Sequence, residues 1–224
     1  RICFSGLLGL LLVLNAEARV GDSSQLEFCN ETEQCLLFDL ICKNSVYEVR
    51  HYDSVKWVTT NYTTFSMEFM MVPAFWKLYK YITGENEASQ NIPMTAPVLM
   101  GIPEKSILRM DVFTMSFLLP AEYQMDPPKP TNDDVYIQET PAMNVYVIDY
   151  DSYMNTLSDS KYSKKLSKAL DSAKVQYRKG SHFAAGYDSP KPKKKRHCEV
   201  WYVVEGDPVC DPNTGESKVK SACL

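Results

Sequence analysis

No catalytic signature stands out in these 224 residues. There is no G-x-S-x-G elbow, no H-E-x-x-H pair, no G-x-G-x-x-G turn and no Walker-type loop. Histidine is scarce, at three residues, and no C-x2-C pair exists, so the spacing for a zinc site is missing. Long apolar runs are missing as well. One run of eight residues fills positions 7–14, where a bilayer span needs about 20, and no second run approaches that length. Charge of one sign is not in excess either: 24 Lys and Arg stand against 28 Asp and Glu, a net −4. Neither nucleic acid nor an anionic membrane surface is implied by that balance. The composition that remains, 45% hydrophobic and 12% aromatic, suits a folded core.

Residues 7–14 (LLGLLLVL) lie behind Arg1 and are followed by Ala16-Glu17-Ala18, a small-x-small pattern. Residues 1–18 therefore read as a cleaved secretory signal, with an extracellular mature chain starting at Arg19. Cys3 falls in that segment, leaving Cys29, Cys35, Cys42, Cys198, Cys210 and Cys223. An even number in an oxidising compartment predicts three disulfides, with their pairing open. Asn30-Glu31-Thr32 and Asn61-Tyr62-Thr63 are sequons that would make Asn30 and Asn61 glycan acceptors. The cysteines cluster at the two ends, with 155 cysteine-free residues between Cys42 and Cys198. That spacing divides the chain into an N-terminal extension (19–45), a self-sufficient central domain (46–204) and a tail (205–224).

The central domain carries a weak repeat at an offset of 88 residues, VYEVRHYDSVKWVTTNY (46–62) against DVYIQETPAMNVYVIDY (134–150). Each stretch has two β-rich runs around a turn and reads as a hairpin. A helix follows each. In the first, Pro73 suits the first helical position and Gly84 the residue after the end, with Phe75, Leu78, Tyr79 and Ile82 as its apolar stripe. Leu166, Ala169, Leu170 and Ala173 form the stripe of the second, with Lys164, Lys165 and Lys168 turned to solvent. Two extended runs follow each helix. The order β-β-α-β-β, twice, predicts an α+β fold of about eight strands and two helices.

The phrases YEVRHYDSVKW (47–57), FWKLYKYITGEN (75–86), IPMTAPV (92–98), FLLPAEYQMDPPKP (117–130), AAGYDSP (184–190) and EVWYVV (199–204) occur in order. Together they resemble the SOUL heme-binding family over residues 46–204. The resemblance implies a twisted antiparallel sheet or distorted barrel with two helices and internal pseudo-two-fold symmetry. It also implies heme or another tetrapyrrole as ligand, without an established catalytic activity.

A porphyrin needs an apolar slot, cationic groups for its carboxylates and, for iron, an axial ligand. Phe75, Leu78 and Tyr79 offer a wall and Lys77 and Lys80 offer cations, though an amphipathic helix built only for a core looks the same. By the resemblance, Lys80 stands where the family has a propionate-contacting lysine, whereas the partner arginine's place is taken by Val72. The same resemblance makes His51 an expected axial iron ligand. The basic run at 191–196 (KPKKKR) reads as a solvated loop, with propionate or glycosaminoglycan contact as alternatives. The expected function is an extracellular, non-catalytic tetrapyrrole binder with a small porphyrin as partner, no nucleic acid and no stable membrane insertion. An extracellular interaction module with a vestigial pocket stands second, and an unrecognised small-molecule hydrolase third.

Overall fold

A computed structural model describes residues 19–104 and 109–210, so the expected signal segment (1–18) and Cys223 lie outside the described residues. In chain order the elements are β1 (Val20–Asp22), β2 (Gln34–Leu36), β3 (Asp39–Lys43), β4 (Glu48–Tyr52), β5 (Val55–Thr64), α1 (Met67–Ile82), β6 (Val98–Pro103), β7 (Asp111–Leu118), β8 (Val135–Thr140), β9 (Met143–Tyr150), α2 (Thr156–Ala173), β10 (Ser181–Gly186) and β11 (Cys198–Val203). Nine strands form one curled antiparallel sheet, a half-barrel in the order β3-β4-β9-β11-β10-β6-β7-β5-β8. The α+β class is therefore as expected. β3, contributed by the N-terminal extension, adds a ninth strand to the eight of the central domain.

The two expected hairpins do not form. β4 pairs with β9 and β5 with β8, so the two β-β units pair with each other. His51 faces Asn144, Tyr52 faces Met143 and Val55 faces Thr140. One step forward in the first unit is thus one step back in the second, through both turns without a break. The result is a long bent ribbon along which the sheet curls. Outward from the central β10–β6 pair the succession is β11, β9, β4 on one side and β7, β5, β8 on the other.

Strand alternation sends neighbouring residues to opposite faces. Val58, Tyr146, Val200 and Tyr202 lie under the helices, while Trp57, Val145, Val147 and Trp201 face the other way. α1 packs Met70, Ala74, Leu78 and Tyr81 with Val58, Met115 and Phe117. α2 packs Leu166 and Leu170 with Tyr146, Ile148 and Tyr202. Both helices thus share one face of the sheet. The opposite face is covered by the N-terminal segment, which inserts Val20, Phe28, Cys29, Cys35, Leu36 and Phe38.

α1 starts earlier than Pro73 suggested. Ser66 is its N-cap and Pro73 lies inside the helix, while Gly84, at φ +119°, follows the C-cap Thr83 as expected. The missing Pro73 amide leaves the carbonyl of Phe69 without its helical donor, but that turn faces water, where hydration substitutes. α2 is closed by a reciprocal cap between Asn155 and Ser158. Disulfides join Cys29 to Cys35 and Cys42 to Cys210, the latter tying β3 to the start of the tail. Among the described residues Cys198 is the unpaired thiol, buried under α2 and pushed up to about 12 by burial, and its Sγ lies 3.4 Å from the Ser152 carbonyl. Of the three expected disulfides, two are therefore present among the described residues. No helix among them is long and apolar enough to cross a membrane.

Candidate functional site

α1 is apolar nearly all round: of its sixteen residues only Glu68, Lys77 and Lys80 carry charge. One side meets the sheet. On the other, Phe69 (72% exposed), Val72 (64%), Trp76 (54%) and Tyr79 (39%) form an outward ridge at i, i+3, i+7, i+10. At 1.5 Å rise per residue this ridge runs about 15 Å. A soluble helix normally turns its polar side outward, so an apolar outer ridge is a surface awaiting a partner. The aromatic rings brace each other. Phe75, half-buried against Phe117, stacks on Tyr79 at 5.8 Å between centroids, and Trp76 meets Tyr79 edge-on at 5.5 Å.

The two lysines of α1 differ in availability. Lys77 lies across the Tyr62 ring and bonds the Asp134 carboxylate at 2.6 Å, which raises its pKa and holds it in place. Lys80 is exposed and only loosely paired with Glu85 at 3.4 Å, so its ammonium is free to swing toward an anion beside the ridge. At the other end, the Glu68 carboxylate accepts from the Thr156 amide and hydroxyl, both at 2.6 Å. Burial would raise Glu68, yet these bonds hold it down to about 2 and fix the start of α2 against the first turn of α1.

Not every residue singled out from the sequence reaches this ridge. Tyr79 and Lys80 do, and Phe75 supports it. Leu78 does not: it is fully buried in the core between α1 and the sheet, because it stands on the helix side opposite the ridge. His51 is also elsewhere. It lies on β4, separated from β7 by four intervening strands in the sheet order, whereas α1 rests on β5 and β7. Its Nδ1 meets Asn144 Oδ1 at 2.8 Å and its Nε2 stands 3.5 Å from Asp53, so both ring nitrogens are engaged. The ridge residues Phe69 and Trp76 were missed by sequence reasoning. The signal available was the near absence of polar residues on any side of 67–82.

A second cluster, also unforeseen, occupies the face covered by the N-terminal segment. Arg50, almost fully buried, bonds Glu199 at 2.9 Å and lies over the Phe38 ring at 4.0 Å. Glu199, wholly buried, also accepts from Trp201 Nε1 at 2.7 Å and contacts His197 at 2.6 Å. Burial alone would raise Glu199, but the Arg50 charge and these bonds hold it at about 2. Phe28 stacks on His197 and closes the cluster from above. Every group here is matched to another, so the cluster is structural mortar between segment and sheet. His182, also buried, holds Asp159 through its Nε2 at 3.0 Å, while its Nδ1 is buried without a hydrogen bond. The run at 191–196 is not a purely solvated loop. Lys193 bonds Asp188 and Glu31, and Arg196 is buried over Tyr153, while Lys191, Lys194 and Lys195 are exposed.

Residues 33–203 match the family described as SOUL heme-binding protein. The chain belongs to that family. Heme-binding protein 2 of Homo sapiens is 32% identical over 163 residues, covering 72% of this chain and 80% of that protein. Heme-binding protein 1 of Xenopus tropicalis is 26% identical over 158 residues, covering 70% and 83%. Among solved structures, the C-terminal domain of EcmrR superposes with a TM-score of 0.53 at 12% identity, covering 75% of this chain and 98% of that domain. That likeness concerns the fold alone. Residues 19–32, with Phe28 and Cys29, precede the family match.

Proposed function

We propose that this chain is a non-catalytic binder of heme or a related tetrapyrrole, that the ligand lies on the outward ridge of α1, and that the protein works outside the cell. The observation that carries the reading is the ridge of Phe69, Val72, Trp76 and Tyr79, which no described residue covers, in a chain of the SOUL heme-binding family. The residues present fit the ligand: a flat apolar macrocycle takes an apolar wall, and its carboxylates take a mobile cation, here Lys80. Bound heme would supply an iron centre, and the protein's part is to exclude water from one ring face and orient the acidic edge. Relatives named as heme-binding proteins support binding rather than turnover.

The test is a titration of hemin into the disulfide-oxidised protein, followed by absorption. Saturable one-to-one binding is expected. Phe69→Ala and Trp76→Ala together weaken it roughly tenfold, since each ring loses part of the roughly 1.5–3 kcal/mol of a fully buried side chain. Lys80→Ala weakens it less and makes it less salt-dependent, and His51→Ala leaves it unchanged. Binding that never saturates, or that ignores the ridge substitutions, overturns the reading and makes the ridge a protein-docking face of an interaction module. The extracellular assignment rests on residues 1–18 and the terminal disulfides. Amino-terminal sequencing of the secreted product should begin at Arg19, with glycan on exposed Asn30 and Asn61.

A further inference from the structure

We infer that Tyr79 is the axial ligand to a ferric iron held on the α1 ridge, an assignment that rests on the tetrapyrrole reading above. Iron in a porphyrin takes imidazole, thiolate, thioether or phenolate ligands. Among the described residues the imidazoles stand elsewhere: His51 on β4 bonded to Asn144 of β9, His182 buried on β10 with its Nε2 on Asp159 of α2, and His197 on Glu199 beneath Phe28. The free thiol, Cys198, is buried under α2. The thioethers of α1 point inward, with Met67 and Met70 in the core and Met71 packed against it.

The phenols of the α1 region separate just as cleanly. Tyr81 is buried and donates its hydroxyl to the Pro128 carbonyl at 2.8 Å, and Tyr62 is covered by Lys77. Tyr79 stands on the ridge, partly exposed, its ring held between Phe75 and Trp76. It therefore presents an oxygen donor within the apolar surface on which the macrocycle would rest. The ligand exchange balances without a redox partner. The hydroxide on ferric heme takes the phenol proton and leaves as water, while the phenolate oxygen forms the new bond to iron. An anionic oxygen ligand favours ferric over ferrous iron, so the site would be selective for oxidised heme.

The test compares ferric hemin with metal-free protoporphyrin IX on the full oxidised chain, as wild type and as Tyr79→Phe, which keeps the ring and removes the oxygen. The expected result is a phenolate-to-iron charge-transfer band in the wild-type hemin complex that disappears in Tyr79→Phe. Hemin affinity should also fall about tenfold further than protoporphyrin affinity does. An unchanged hemin spectrum in Tyr79→Phe, or equal weakening of both porphyrins, overturns the ligand assignment and leaves the ridge as the binding face. Failure of both porphyrins to saturate the wild type removes the tetrapyrrole reading itself, and the ligand with it.

Discussion

Glu199 has no exposed surface and still holds its charge, because Arg50, His197 and Trp201 surround it. Its carboxyl is lowered from 4.5 to about 2 in the folded protein, so its stabilising contribution is complete above pH 4.5. It is lost as the pH falls from 4.5 toward 2, where the unfolded chain binds the proton first. Over that window the shift corresponds to about 3 kcal/mol for this one group. Denaturant unfolding measured across the window should show the loss. Glu199→Gln should cost roughly 1–3 kcal/mol at neutral pH, since Arg50 loses one of two counter-charges and keeps Glu48 at 2.7 Å, and should flatten the acid slope. Glu31 and Glu68, also lowered to about 2, keep that slope from vanishing. The sequence showed Arg50 and Glu199 as two charges in separate β runs; only their pairing across the sheet makes them one unit.

At the scale of the element, α1 has two apolar sides with opposite duties. Leu78 faces the sheet without exposure and Trp76 faces water. Leu78→Ala should lower unfolding free energy by roughly 2–5 kcal/mol through the cavity it leaves, read by denaturant melts. Trp76→Ala should leave stability within about 0.5 kcal/mol and act on ligand affinity instead. A helix serving only a core would show no such division. The helix itself was legible, from its apolar content and from Gly84 at its end. Which side faces the sheet was not: periodicity selected Phe75, Leu78, Tyr79 and Ile82, whereas the buried set is Met67, Met70, Ala74, Leu78, Tyr81 and Ile82. With so few polar residues, the pattern contains no marker for the outer side.

For the whole molecule, the decisive tie is Cys42–Cys210, which spans 168 residues and encloses the nine-stranded sheet beyond β3. Such a closure restricts the unfolded chain, and loss of a native bridge typically costs 2–5 kcal/mol, on the order of a third or more of a domain's stability. Cys42→Ser with Cys210→Ser should lower the denaturation midpoint accordingly while leaving hemin affinity in place, because α1 lies on β5 and β7, away from β3. Loss of binding without loss of stability would mean that the terminal tie shapes the ridge.

The sequence by itself determined the local order: strands from β-rich runs, two helices from their stripes, terminal cysteine clusters and the family phrases across the central domain. These are properties of neighbouring residues, and local propensity and periodicity express them directly. The tertiary structure alone decided which strands pair, which side of α1 meets water, and where His51 lies. β4 pairs with β9 rather than β5, a contact between residues distant in the chain that local propensity and periodicity do not encode. His51 follows β4 to the far half of that sheet, while Tyr79 stands partly exposed on the ridge.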